Sequence, residues 1–382
     1  MTKLYASLGR DKRLTDIIFA GSHDAGITEG GSNAQTQNLD VLGQALAGVR
    51  LFDLRIMASS NGCSNGSARL MAYHAGGGVK KQTVQRVMEA TGRHETLVIS
   101  ELSVGTFGMG LAKILRDAKA FVSRYGSEFL ILKFDKCTNW KLIADYCTEI
   151  LGDRIYQGTG DLNRKTLRDL QGRVIILFSD SGVRSVRATH PLGGGILGWR
   201  NLFAKKSEPK SYDARYNGLQ YFGKGGTSVN PLKMKWNYGG KIHENIKKQG
   251  RLMYLGANNP SAYGVDVLGM MYWTSTGLIE NIQSRNDKMW SEKGKDQLRS
   301  LWEGGLRESI ASRAANERLD VNFYSTGAQL KAFMPNIVMI DFADAEKCST
   351  IYDLNAVAGA MLTQMFRSES EELGDDYKPY LS

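Results

Sequence analysis

The chain has 382 residues, 42% of them hydrophobic, and a formal charge of +10. That length can bury a large core, and the composition is ordinary for a soluble globular protein. No apolar run is long enough to cross a bilayer, and four cysteines without CxxC spacing (Cys63, Cys137, Cys147, Cys348) exclude a disulfide scaffold and argue against a zinc site.

The positive balance favours anionic partners such as nucleic acid, acidic lipid headgroups or phosphorylated small molecules, although it serves solubility equally well. Residues 1–16 contain no apolar segment of the signal-peptide kind. The expected location is therefore the cytoplasm, or the exterior by a route that reads no such signal.

In chain order, Ile17 to Gly21 reads as a buried strand that delivers His23 and Asp24 into a small-residue turn. Strand alternation would send these two side chains to opposite faces and different partners. A polar loop over 28–38 and a short helix over 39–48 follow. In Val49 to Ile56, Val49, Leu51, Asp53 and Arg55 alternate onto one face, so an apolar strand ends in charge. Leu70 to Gly78 is a second short apolar run, and it ends in His74 and glycines.

Residues 79–91 are expected to be helical and 96–100 an extra strand. An amphipathic helix over 110–125 precedes the buried strand Phe129 to Phe134, interrupted only by Lys133. Helical patterns cover 139–151 and 164–171, and Val174 to Phe178 is a strand that stops at Ser179 and Asp180. The stretch 181–250 is rich in Gly, Lys, Tyr and Trp and reads as one long insertion. Its aromatics and lysines suit either a membrane interface or a small subdomain over the barrel. Further strands are expected at 252–255, 321–324 and 337–340, with helical segments over 276–316 and 349–367 and an acidic tail.

About eight short strands separated mostly by helices predict a parallel α/β sheet closed into a barrel, forming a single domain over 1–382. The strand ends would then collect His23, Asp53, Arg55, His74, Lys133, Asp180 and Asp341 at the C-terminal mouth, where such barrels keep their chemistry. His94, His190 and His243 read as surface residues.

The segments GSHDAG, GVRLFDLRI, YHAG, SEFLILKF, TLRDLQGRVIIL and NIVMIDF, in that order, resemble the catalytic domain of phosphatidylinositol-specific phospholipases C. The likeness is strongest to the metal-independent bacterial type. It covers most of 14–74 and 110–180 plus 321–344, with 75–108 inserted and 181–320 matching only loosely. It implies a distorted (β/α)8 barrel with a long insertion between its fifth and sixth strands, and a two-histidine mechanism.

By matching position, His23 would be the general base and His74 the general acid. Asp341 would orient the base, Asp24 would pair with the acid, and Arg55 would hold the phosphate. Lys133 matches a position facing inositol hydroxyls, though pairing with a neighbouring carboxylate is an equal expectation. Asp180 is expected to contact substrate or to cap a loop, and Tyr324 to line the pocket. Asp53 would support Arg55 or act as a ligand. The arginine takes the place that a calcium ion holds in the metal-dependent branch, so no metal is expected, with Ca2+ as the alternative.

The expected substrate is a phospholipid at a membrane surface, met by a monomer that touches the bilayer peripherally. Nucleic acid is not expected, since no binding motif accompanies the charge. Two other readings share the barrel: a metal-dependent diesterase acting on glycerophosphodiesters or sphingolipids, and a non-catalytic headgroup-binding module.

Overall fold

The computed structural model describes residues 2–64, 66–75, 77–191, 193–203, 211–223, 227–229, 249, 267–277, 281–296, 298–300 and 336–356. In chain order the first strands are β1 (Phe19–Ser22), β2 (Val49–Leu54), β3 (Ile56–Ser59), β4 (Ser67–Ala75), β5 (Val79–Met88), β6 (His94–Leu102) and β7 (Gly105–Gly110). There follow β8 (Phe129–Phe134), β9 (Arg173–Phe178), β10 (Ile196–Asn201), β11 (Gly218–Gly223), β12 (Thr227–Val229), β13 (Leu268–Trp273), β14 (Ser275–Gly277) and β15 (Ile337–Ile340). The helices are α1 (Val41–Ala47), α2 (Leu111–Arg124), α3 (Trp140–Leu151), α4 (Leu167–Leu170), α5 (Asp180–Val186) and α6 (Ile282–Met289), with a further helix over 345–356.

Strands β1, β2, β8, β9, β10, β11, β13 and β15 close a barrel in chain order, every pair parallel. Closure is the pairing of β15 with β1, from Phe19↔Ile337 to Ser22↔Ile340. Strands buried on both faces must be largely apolar on both, which is why β8, β9 and β15 carry near-continuous hydrophobic runs.

Alternation sends Phe19, Leu51, Ile131, Leu177 and Met339 into the barrel interior, while Phe52, Leu54, Leu132, Ile176 and Val338 pack beneath the helices. Gly21 is the inward residue of β1 between Phe19 and His23. A side chain there would collide with the Met339 sulfur, so the glycine leaves Met339 the space it fills.

Between β2 and β8 the chain makes a five-stranded sheet in the order β3-β6-β5-β4-β7. Residues 79–91, expected to be helical, form β5 instead, paired antiparallel with β6 from Val79↔Leu102 to Val87↔His94. The spacing of Val84, Val87 and Met88 imitates a helix face, and pairing with β6 overrides it. The run ending in His74 is likewise no barrel strand. It is β4, which runs antiparallel to β3 and back toward the mouth.

The stretch 181–250, expected as one insertion, contains two barrel strands, β10 and β11. Among its described aromatics, Trp199, Phe203, Tyr212, Tyr221 and Phe222 pack against neighbouring hydrophobics, and the Tyr216 ring lies against the Arg200 guanidinium. The seventh barrel position belongs to β13, which the sequence pattern left unassigned. The strands expected at 252–255 and 321–324, Tyr324 among them, lie outside the described residues. Among the described residues no helix is long and apolar enough to cross a membrane.

Below the barrel, Arg50 and Glu128 form a fully buried ion pair at 2.8 Å. Glu128 also accepts the Tyr5 and Ala6 backbone N–H groups at 3.1 and 3.0 Å, and the guanidinium lies between the Tyr5 and Phe121 rings. This anchors the N-terminal segment across the strand ends. Removing one partner of such a pair leaves an uncompensated buried charge. Arg50→Met is expected to lower stability by about 3–5 kcal/mol in urea unfolding. Arg50→Met/Glu128→Gln is expected to recover part of that loss.

Candidate active site

The inward parity of the barrel continues upward past its apolar layers. The next inward positions are His23, Asp53, Lys133, Trp199, Tyr221, Tyr272 and Asp341, so the interior ends in a polar and aromatic floor at the C-terminal mouth. His23 follows β1 and Asp341 follows β15. The last ladder bond between these strands, His23 N–H to the Ile340 carbonyl at 3.0 Å, sets the two side chains beside each other. The His23 Nδ1 lies 2.9 Å from Asp341 Oδ1. A carboxylate can only accept there, so Nδ1 carries the proton and Nε2 is turned toward the site.

Asp24 does not leave by the opposite face as strand alternation predicts. Its backbone is left-handed, with φ 43°, and the turn brings its carboxylate to 3.7 Å from His23 Nε2. Aspartate is among the residues that tolerate this conformation. The same carboxylate accepts His74 Nδ1 at 2.8 Å and forms an ion pair with Arg55 Nε at 3.2 Å.

Arg55 lies at the step from β2 to β3, and antiparallel pairing of Ile56 with Ala72 returns β4 to the level of Arg55. The Tyr73 N–H donates to the Arg55 carbonyl at 3.0 Å, which places His74 directly over the mouth. The structure therefore brings together His23, Asp24, Arg55, His74 and Asp341. Asp180 stands apart: it opens α5, is exposed, and accepts the Tyr216 hydroxyl at 3.4 Å.

Asp53 accepts Lys133 Nζ at 2.7 Å, with both groups buried. Of the two expectations for Lys133, the carboxylate pair is the one observed. The ammonium also sits 4.1 Å from the centroid of the Trp199 ring, whose indole N–H donates to the Phe134 carbonyl at 2.9 Å. Tyr221 stacks on Trp199, and Tyr272 meets His23 edge-on at 5.9 Å. These three aromatics were not picked out as site residues. The available signal was the period-two alternation Leu197/Trp199, Leu219/Tyr221 and Met270/Tyr272, in which an apolar inward residue is followed by an aromatic one.

The electrostatics follow from crowding unlike charges in a buried space. Burial pulls His23 down, but the Asp24 and Asp341 carboxylates outweigh it and raise the imidazole to about 9. Burial pushes Asp24 up, yet His23, Arg55 and His74 together hold it well below the usual carboxylate range. Burial raises Asp341, only partly offset by His23. Burial works against the Lys133 charge, and Asp53 more than restores it. The Tyr272 phenol is pushed well up, first by burial and then by Asp53, so it stays neutral.

His23, Asp24 and Asp53 offer ligand atoms within 4.8 Å of one another, the ingredients of a cation site. The fit is poor for an added ion. Asp53 already holds the Lys133 ammonium, and Asp24 already holds Arg55 and His74. A divalent cation would have to displace charges that the chain itself supplies.

Fold and site together define a parallel α/β barrel whose mouth carries two imidazole–carboxylate pairs around one guanidinium. No family model and no curated protein matches the sequence. Among solved structures, the phosphatidylinositol-specific phospholipase C of Listeria monocytogenes is 14% identical, with 91% of this chain and 96% of that chain covered and a TM-score of 0.46. A phosphatidylinositol-specific phospholipase C from Staphylococcus aureus is 17% identical, with 92% and 96% covered and a TM-score of 0.46. A calcium-dependent phosphoinositol-specific phospholipase C from a Pseudomonas species is 14% identical over 57% of this chain and 78% of that one, with a TM-score of 0.36.

The raised His23 pKa makes stability depend on pH with a definite sign. A folded value of about 9 against an ordinary 6.5 gives stabilisation that is complete below about pH 6.5 and lost as pH rises through 9. The stability difference between the native chain and His23→Gln is expected to shrink by about 3 kcal/mol across that window, read from urea midpoints at each pH. A difference independent of pH would mean that His23 is not held by the two carboxylates.

Proposed function

We propose that the protein is a phospholipase C-type phosphodiesterase that cleaves a phosphoinositide, or a related lipid with a hydroxyl beside its phosphate, by paired-histidine acid–base catalysis without a metal. One observation carries the reading. Two imidazoles each present Nδ1 to a carboxylate, both lie within reach of one Asp24 oxygen, and Arg55 pairs with that same carboxylate. Each ring is thereby fixed in the tautomer that offers Nε2 to a reactant, on the logic of base–orienter pairs. A phosphate seated on Arg55 would have one ring on each side.

In the proposed reaction the headgroup hydroxyl neighbouring the phosphate attacks phosphorus while His23 Nε2 takes its proton. The oxygen–phosphorus bond to the diacylglycerol breaks, and His74 Nε2 gives that departing oxygen a proton. The products are a cyclic phosphodiester and diacylglycerol. Arg55 neutralises the charge that gathers on the non-bridging oxygens. Lys133, Asp53 and the faces of Trp199 and Tyr221 would form the headgroup side of the mouth. The phospholipid partner would be met at a membrane surface.

The test is turnover of phosphatidylinositol vesicles in the presence of a chelator. His23→Ala and His74→Ala are each expected to reduce turnover on the order of 10²–10⁴-fold. Equal turnover in all three proteins would end the proposal. A base must be unprotonated to act, so kcat/KM should climb with pH until it levels near 9, the value at which His23 titrates.

A second reading, a metal-dependent diesterase on the same barrel, draws on the proximity of His23, Asp24 and Asp53. It is favoured if the chelator abolishes activity and calcium restores it.

A further inference from the structure

We infer that Gln37 is a positioning residue for the base: its buried carboxamide clamps the end of β1 to the end of β15 and so holds His23 against Asp341. The inference rests on the proposed role of His23 for its catalytic meaning, but the clamp itself is a matter of geometry. The Gln37 side chain donates from Nε2 to the His23 carbonyl at 2.9 Å and to the Ile340 carbonyl at 3.4 Å. Its Oε1 accepts the Ala343 N–H at 2.9 Å. One planar amide thus grips the chain at His23 and on both sides of Asp341.

The neighbouring residue completes the clamp. Thr36 donates from its hydroxyl to the Asp24 carbonyl at 2.9 Å, and its own carbonyl accepts the Phe342 N–H at 2.7 Å. Both residues are held in place through the Ile27 carbonyl, which accepts the Thr36 and Gln37 N–H groups.

Two features make this clamp more than ordinary loop packing. First, the ladder between β1 and β15 ends at the His23–Ile340 bond, and the residues that do the orienting lie at or beyond that point. Second, Asp24 and Phe342 are both left-handed non-glycine residues, with φ 43° and 47°, immediately following His23 and Asp341. Such conformations persist only where the surroundings impose them. Thr36 bonds both residues, Asp24 by its side chain and Phe342 by its backbone, and Gln37 bonds the residues that flank them, His23 and Ala343. An amide is the side chain that suits the position, since a carboxylate there has no donor for the two carbonyls and a thioether has no donor and only a weak acceptor.

The test reads the His23 titration by NMR of its imidazole nitrogens. The charged groups facing that ring are Asp341 from the end of β15, Asp24 from its own turn and Arg55 from the β2–β3 step, with Tyr272 of β13 edge-on. Gln37→Met is expected to lower the His23 midpoint by about a unit or more, because the distance to Asp341 is no longer fixed. It is also expected to reduce kcat on the order of 10²-fold with KM little changed, and to move the acid limb of kcat/KM to lower pH.

Gln44→Met is the control for a purely structural effect. Gln44 is equally buried and donates to the Ala25 and Leu39 carbonyls, but it does not reach the β15 end. Its loss should cost stability and leave the His23 midpoint where it was. If Gln37→Met does not fold, Gln37→Asn, which keeps an uncharged amide but shortens it by one methylene, is read in the same way. A folded Gln37 variant with an unchanged His23 midpoint overturns the inference, as does a Gln44→Met shift of equal size. A native protein inactive on every phospholipid, yet showing the Gln37-dependent shift, would defeat the proposed function and leave the clamp standing.

Discussion

The Asp24 carboxylate is the hub of this molecule's mouth. Within 3.7 Å it meets His74, Arg55 and His23, which reach it from three separate places along the chain. A buried negative charge is expensive unless positive or hydrogen-bonding groups close around it. Here they do, and the cost of burying each becomes the reason the others stay. The carboxylate is held ionised, and its field, added to that of Asp341, is what lifts His23. Beside this hub Asp53 and Lys133 repeat the arrangement, so the floor of the mouth alternates charge and neutralises itself.

That balance depends on two departures from a regular barrel. One is the return of β4. If the run after β2 had continued as a further barrel strand, His74 would stand on the ring of strands. Instead β3 rises past the mouth and β4 comes back antiparallel, which lowers His74 onto Asp24. The other is the left-handed backbone at Asp24 and Phe342, which lets adjacent residues His23 and Asp24 face one centre. Strain of this kind gathers where geometry serves a site. In this chain it is held by the side-chain and backbone bonds of Thr36, with Gln37 bonding His23 and Ala343 beside them.

The far end of the barrel is organised by the same physics with a different outcome. Arg50 and Glu128 are as buried as the residues of the mouth, but their donors and acceptors are filled by each other, by the N-terminal segment and by the Ala45 and Val49 carbonyls. Their charges are consumed in structure. At the mouth, by contrast, each imidazole meets a carboxylate through Nδ1, and the Asp24 oxygen that meets His74 also lies 3.7 Å from His23 Nε2.

The sequence alone carried the barrel's apolar strands, because a parallel strand buried on both faces must be a short hydrophobic run, and β1, β2, β8, β9 and β15 each are. It also carried the identities at the barrel strand ends: His23, Asp53, Arg55, Lys133 and Asp341 are legible because charge closing an apolar run is hard to place anywhere but at a mouth, whereas His74 reaches it by the return of β4. Strand β5 was not legible, since Val84, Val87 and Met88 fall at a helix-like spacing and only pairing with β6 defines it as a strand. Strands β10, β11 and β13 were hidden by glycines and aromatics that resemble loop composition. The resemblance already paired Asp24 with His74 and Asp341 with His23, but what brings these charges together was decided only by the tertiary structure. Contacts such as Asp24 with His74, Lys133 with Asp53, and Gln37 with the β15 end depend on register, on a fold-back and on two left-handed turns, and none of these is a property of any local stretch of chain.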